Sequence, residues 1–574
     1  MQLFKNTVIS WFLKNKYLFF VFVLGVFLRF YNLGNMPIAT HLDEIMNGYV
    51  GKFTILNGVD LYGNKWPIFY FNNFGDYPNI MPMYLSGLSA IIFGNTEFAI
   101  RFPIALFGGL TILLIYFLTK YLFNDNKIAL FSSLTIAIMP WHIVLSRATA
   151  EGVTASFIFL LAIYLLIKDQ VKKISITTMI SLFLLLFTYL LYPSFRIITP
   201  LAVVPLFLLT QQRAKKILFI VFALLSLGVT VYISQLPAGK GRFEQTSIIS
   251  QNSPILPYQS EFISGEGFDN AFKARLLFNK PVMFGREFLK QYTSYFSTSF
   301  LFSEGGLPKR YFVPDQGVWY YSYLGIFILF VGLLIIFPDR LSKFYESILV
   351  NKQNKANVVY LIYLTLVSLV PAAMTYEDSP NVHRASLFPL FLSIWSGLFF
   401  IFLSKIRYRK FSYLAFILFV SIFLEAMFFW NKYLVHANKY QEIYRNGASK
   451  NLVEYLNSHK NSYDHIYVSG RNDIPLYYPF FNNIYDRELS NRFELGMRLK
   501  EIDNIRLTDD DCFADFFREI ESVNTSDLYI MGSNCIIDYE QLIKKSLELT
   551  KKDIIYTKQG NEELATFALE AISK

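Results

Sequence analysis

Cysteine is almost missing. The 574-residue chain carries two, Cys512 and Cys535, both close to its C-terminal end. Two thiols cannot build a disulfide framework, and nothing around them has the spacing of a zinc or redox motif. If the tail lies outside the cell, the two can pair. Charge is also scarce, at 17% of residues. A nucleotide-cradling glycine loop is missing too; Gly447 or Gly470 alone does not make one. No small-residue cleavage site follows the first apolar run, so that run reads as a retained helix and not as a removed signal.

Apolar and aromatic residues fill the space. The chain is 53% hydrophobic and 18% aromatic, with 59 Phe and 38 Tyr. Several runs reach bilayer-spanning length, roughly 20 residues. The composition predicts a polytopic α-helical membrane protein. From residue 431 onward the pattern turns mixed and polar, like a soluble domain. The net charge, 53 − 43 = +10, comes from short clusters between apolar runs. That pattern reports topology and not nucleic-acid binding.

The candidate spans are 17–31, 99–121, 128–143, 152–167, 174–192, 196–211, 217–236, 317–337, 357–374, 384–404 and 411–430. Four basic loops should be cytoplasmic: 168–173, 213–216, 340–355 and 405–410. Lys5, Lys14 and Lys16 place the N-terminus inside as well. Parity then decides the ambiguous stretch 80–94. Counting it as a crossing would put the Lys168 loop outside. It therefore reads as a helix lying in, or dipping into, the interface. The outcome is about eleven spans. Loops 32–98 and 237–316 and the tail then lie outside. In 237–316, Phe284, Phe288, Tyr292 and Tyr295 recur at helical spacing. This stripe suits a helix on the membrane surface or one packed on the tail. The tail reads as a small α/β domain: a helix over 451–459, short strands at 464–468 and 527–531, and a hairpin over 552–569 broken at Gln559-Gly560-Asn561.

The polar residues of interest sit at the outer ends of these spans. His41-Leu42-Asp43-Glu44 follows the first span. Asp76 lies later in the same loop, and Glu151 in the next outer loop. Three separated acidic sites are thus expected on one face. His142, after Pro140-Trp141, reads as an interface residue. Trp66, Trp141, Trp319 and Trp430 fall at span boundaries, where aromatic belts form.

The order of these pieces resembles the GT-C superfamily of polyprenyl-phosphate-sugar glycosyltransferases, in its protein O-mannosyltransferase (family 39) and aminoarabinose-transferase branch. The pieces are Asp43-Glu44 after the first helix, Asp76-Tyr77-Pro78, the run Phe93-Gly94-Asn95-Thr96-Glu97-Phe98-Ala99-Ile100-Arg101-Phe102-Pro103, Pro140-Trp141-His142, Ser146-Arg147, Glu151, and Tyr192-Pro193 with Arg196. The resemblance spans roughly residues 15 to 430 and is strongest in the first 210.

It implies a GT-C fold of about eleven transmembrane helices over 1–430, with a soluble extracytoplasmic α/β domain over 431–574. It implies transfer of a sugar from a polyprenyl-phosphate donor to a hydroxyl of a protein, lipid or cell-envelope glycan, at the outer face of the plasma membrane. By position, Asp43 is the implied general base, with Glu44 as its support. The departing phosphate calls for cations. Arg147, Arg196, His383 and Arg384 are the candidates, against snorkelling at the interface as the alternative for each Arg. Asp76 and Glu151 are left to orient the acceptor, pair with an Arg or hold a metal. With carboxylates as the ligands offered, that metal would be Mg²⁺ or Mn²⁺. Two other readings stand beside the enzyme. A transporter or flippase would place ionisable groups mid-bilayer, where this chain has few. An envelope-assembly scaffold would work through the tail.

Overall fold

The computed structural model describes residues 15–571 apart from 74–76, 170, 172, 267–269, 337, 340–345, 347–351, 406–408, 472, 495–497, 511, 514–523, 525 and 536–546. Asp76 and much of the expected basic loop 340–355 lie outside the described residues. The chain divides into two compact units. One comprises Met1–Leu33 and Phe102–Ala437, the other Gly34–Arg101 and Asn438–Lys574.

In the first unit every expected span contains helix. Among the described residues six helices are long and apolar enough to cross a membrane, among them Glu97–Phe123, Glu151–Lys168 and Arg213–Gln235. A bent pair, Asn126–Ile138 with Pro140–Ser146, makes up to seven. Lys16–Phe30, Ile176–Leu191, Phe195–Leu209 and Tyr321–Ile336 are helical but only 15 or 16 residues long. These apolar helices make the chain a multi-pass membrane protein.

The 56° bend has a local cause. Pro140 has no N–H, so the Ile136 carbonyl loses its intrahelical donor. The Trp141 N–H, which would serve Ala137, goes to the Val318 carbonyl at 3.2 Å. Met139 leaves the helical region, as a residue before proline does. Other side chains satisfy the stranded carbonyls. Arg29 Nη2 donates to Ile136 at 2.9 Å and Nη1 to Ala137 at 3.0 Å. The Tyr320 hydroxyl donates to Ile138 at 2.7 Å. A buried arginine on the first helix thus completes a break in another.

The segment 237–316 contributes the helices Pro237–Thr246, Ile255–Glu266, Ala271–Leu277 and Lys280–Ser294. The aromatic stripe of the last turns inward. Phe284 and Phe288 pack with Ile248, Ile255, Met283 and Tyr376. Tyr295 is fully buried, and its hydroxyl accepts from the Asn381 N–H at 2.8 Å. The stripe therefore belongs to the first unit's own packing and not to the tail.

The second unit is built on a six-stranded sheet in the order β2-β3-β1-β4-β6-β5. Its strands are β1 Ile466–Ser469, β2 Glu501–Ile502, β3 Ile505–Thr508, β4 Leu528–Gly532, β5 Leu547–Tyr556 and β6 Glu562–Ala571. β1 runs parallel to both β3 and β4, while β5 and β6 form an antiparallel hairpin. Cys512 and Cys535 are disulfide-bonded.

One face of this sheet, with Ile466, Val468, Leu528 and Ile530, shares a hydrophobic core with Ile45, Tyr49, Phe53 and Met83. Residues 34–101 therefore pack as part of the tail's domain, whereas the sequence assigned the loop 32–98 to the membrane part. Its helix Leu42–Asn57 crosses Ile80–Phe93 at two glycines. A Cβ on Gly51 would meet the Met83 carbonyl oxygen at 1.8 Å, and one on Gly87 the Lys52 nitrogen at 2.3 Å. Only glycine permits that backbone approach. Ile80–Phe93 is 14 residues long, short of a bilayer crossing, and leaves Leu88, Ile92 and Phe93 exposed.

Candidate active site

In the second unit the site begins at a helix N-terminus. His41 caps Leu42–Asn57: its Nδ1 accepts from the Asp43 N–H at 3.1 Å, and Glu44 reaches back to the His41 N–H at 3.3 Å. This capping box puts two carboxylates in the first turn, where the helix dipole favours negative charge.

Their surroundings separate them. The Glu44 side chain is 3% exposed and bonded to two guanidinium groups, Arg101 Nη2 at 2.8 Å and Arg445 Nη2 at 2.7 Å. Burial alone would raise its pKa. Arg101 and Arg445 outweigh burial and hold the carboxyl down at about 2. Arg101 also donates to the carbonyls of Pro37 and Ala39, and Arg445 to that of Ile38. Glu44 is thus a permanent anion locking the loop 37–44. The Asp43 side chain is 40% exposed and 3.4 Å from His41 Nδ1. Of the adjacent pair, Asp43 is the more exposed.

In the first unit a second group forms. Glu151 opens Glu151–Lys168, and its Oε2 lies 3.3 Å from His383 Nε2. The same nitrogen lies 3.1 Å from the Gly152 nitrogen, where it accepts the N–H when the imidazole is neutral. A Cβ on Gly152 would meet Ser386 Oγ at 2.4 Å and His383 Cδ2 at 3.0 Å, so glycine lets the histidine approach. The His383 ring stacks on Tyr192 at 4.6 Å. Arg384 pairs with Glu377 at 2.9 Å. Arg242 and Arg384 lie within electrostatic reach of Tyr192, and Arg242 also of Arg196. Arg196 donates to the Tyr189 carbonyl at 3.4 Å. Burial, then Glu377, raises the Asp378 carboxyl, against Arg384 and Arg310.

The structure thus brings Glu151 and His383 together beside Tyr192 and Arg384. Arg147 goes elsewhere. It is fully buried and donates to the carbonyls of Leu28 and Tyr31 at 2.9 and 2.7 Å, under the rings of Trp430 and Tyr433. There it caps the C-terminal end of Lys16–Phe30. His142 is buried as well, with Nδ1 2.8 Å from Arg29. Asp76 lies outside the described residues. Among the described residues no three His, Cys, Asp or Glu side chains form a metal-holding group, and Glu151 faces an imidazole.

Sequence reading missed the roles of Arg101, Arg445, Arg242 and Arg29. Arg101 stands inside the quoted Phe93–Pro103 motif and was the one within reach. Arg445 carries no local signal.

Comparison with known proteins now adds its findings. The fold is the GT-C fold. It matches ArnT from Cupriavidus metallidurans bound to undecaprenyl phosphate with a TM-score of 0.51 at 12% identity, over 96% of this chain and 98% of that one. Residues 76–236 match the family described as dolichyl-phosphate-mannose-protein mannosyltransferase. These two findings bear out the resemblance drawn from the sequence. The archaeal oligosaccharyltransferase AglB from Archaeoglobus fulgidus, in complex with an inhibitory peptide and a dolichol-phosphate, aligns with a TM-score of 0.47 at 14% identity, over 82% of this chain. The chain spans 64% of that protein's length. No curated protein sequence matches.

Proposed function

We propose that this chain is an integral-membrane glycosyltransferase that moves a sugar from a polyprenyl-phosphate donor to an acceptor hydroxyl on the extracytoplasmic side. The observation that carries this reading is the pair at the helix N-terminus. Glu44 is neutralised by two arginines, while Asp43 beside it is left exposed and able to take a proton. The family match over 76–236 supports the reaction class. The undecaprenyl phosphate bound by ArnT supports the class of donor.

In the proposed step the acceptor oxygen attacks the anomeric carbon as its proton passes to an Asp43 carboxylate oxygen. The bond from that carbon to the phosphate oxygen breaks with its electron pair, and polyprenyl phosphate leaves. The displacement is in line and inverts the anomeric centre. A departing phosphate gains charge and calls for cations, and the first unit gathers Arg196, Arg242, Arg384 and His383 around Tyr192. Glu151 holds His383 in place. The disulfide supports an outer location for the tail, since such bonds persist in oxidising compartments. The plasma membrane is the location that fits this reading.

The test is sugar transfer by the purified protein in lipid, assayed across a panel of polyprenyl-phosphate sugars. Asp43→Asn should lower turnover by about 100-fold or more with no change in melting temperature. Turnover at the wild-type rate by a folded Asp43→Asn protein would sink the assignment.

A further inference from the structure

The second unit holds a cavity of about 690 Å³ lined by Tyr467 and Arg471 from β1 and the turn after it and by Arg506, Thr508 and Asp509 from β3 and beyond, and by neither Asp43 nor Glu44. Its volume is in the range of small-ligand sites. Its lining is chemically balanced. Arg498, Lys500 and Arg506 face Glu494, Glu501 and Asp509. Lys500 pairs with Glu494 at 2.9 Å and Arg498 with Asp509 at 3.4 Å. All four of these side chains are more than half exposed, so the pairs are weak and open at little cost to a ligand's own hydrogen bonds.

The lining also has a fixed aromatic. Tyr467 stands opposite Tyr529 in the sheet, their rings parallel within 8° and 5.2 Å apart. On its other side it stands opposite Arg506, whose guanidinium lies 5.9 Å from the ring. The ring is therefore held in one orientation where it borders the cavity. Balanced charge gives no preference for an anion or a cation. Paired donors and acceptors beside the Tyr467 hydroxyl suit a ligand that both donates and accepts hydrogen bonds.

We propose that this cavity binds the end of an uncharged, hydroxyl-rich glycan, and that the acceptor of the transfer reaction is a glycan-bearing molecule docked there. This rests on the glycosyltransferase reading for the acceptor's role, and on the tail alone for the binding. The test uses the full-length protein in nanodiscs, probed with maltose, cellobiose and chitobiose by saturation-transfer NMR and calorimetry. Inorganic phosphate and spermine serve as charged controls. At least one disaccharide should bind. Tyr467→Ala and Arg506→Ala should each weaken it tenfold or more. No disaccharide binding to the wild type, equal binding by both alanine variants, or binding of phosphate in place of sugar would each overturn the proposal. Sugar transfer from the panel of lipid-linked donors is measured in parallel. Its absence in the wild type counts against the enzyme assignment, while its persistence without disaccharide binding counts against the cavity alone.

Discussion

Glu44 shows how one residue can be indispensable without touching substrate. It lies between two buried guanidiniums, Arg101 and Arg445. Glu44→Gln removes the negative charge that faces both. Breaking one partner of a buried ion pair costs about 3–5 kcal/mol, so the variant should melt far below the wild type while Asp43→Asn does not. The pH dependence follows from the shift. The folded carboxyl sits at about 2, against 4.5 for an unperturbed glutamate. A depressed carboxylate stabilises fully above the unfolded value and loses that contribution as pH falls through the folded one. The wild type should therefore lose stability between roughly pH 4.5 and 2, and the gap to Glu44→Gln should narrow there. A gap constant from pH 7 to pH 3 in a denaturation series would refute this account.

At the scale of the element, the bend at Pro140 makes a sharper statement than its sequence did. Pro140-Trp141-His142 read as a helix end with an interfacial histidine. The structure shows a break whose freed carbonyls are met by Arg29 and Tyr320. Arg29→Met should destabilise by about 1–3 kcal/mol for each carbonyl left bare. Pro140→Ala restores an N–H donor for Ile136, so in the Arg29→Met background it should recover part of that loss. Thermal unfolding of the four proteins in one detergent measures the coupling. Strict additivity would mean that Arg29 serves no role at the break.

This scale also separates what the sequence could reveal from what it could not. Local periodicity exposed the apolar helices, the β5–β6 hairpin around Gln559-Gly560-Asn561 and the short strands β1 and β4. It also singled out Asp43 and Glu44, though as a loop pair and not as the capping box they form. Long-range pairings stayed hidden. Nothing near Arg445 announces a partner 401 residues earlier. Nothing near Tyr192 announces the ring of His383. Ile45, Tyr49 and Phe53 form a buried helix face by spacing, yet spacing does not say what covers the face. Here the cover is the tail's sheet, so 34–101 was placed in the wrong structural company.

For the whole molecule the outstanding quantity is topology. Reporter fusions after residues 170, 212 and 450 should read cytoplasmic, cytoplasmic and external under the parity count. A cytoplasmic reading at 450 would reverse the count and remove 80–94 from the interface. It would also place the disulfide in a reducing compartment, where such bonds are rare.

The Arg445–Glu44 contact has a consequence for biosynthesis. Residue 44 leaves the ribosome early and residue 445 late, so the first outer loop stays unfinished through most of translation. Until Arg445 arrives, Glu44 lacks one of its two guanidiniums and Ile38 lacks the Arg445 bond to its carbonyl. Chains cut short before residue 445 would hold Asp43 on an unset loop. Under the proposed role of Asp43, activity would begin only once residue 445 has been made.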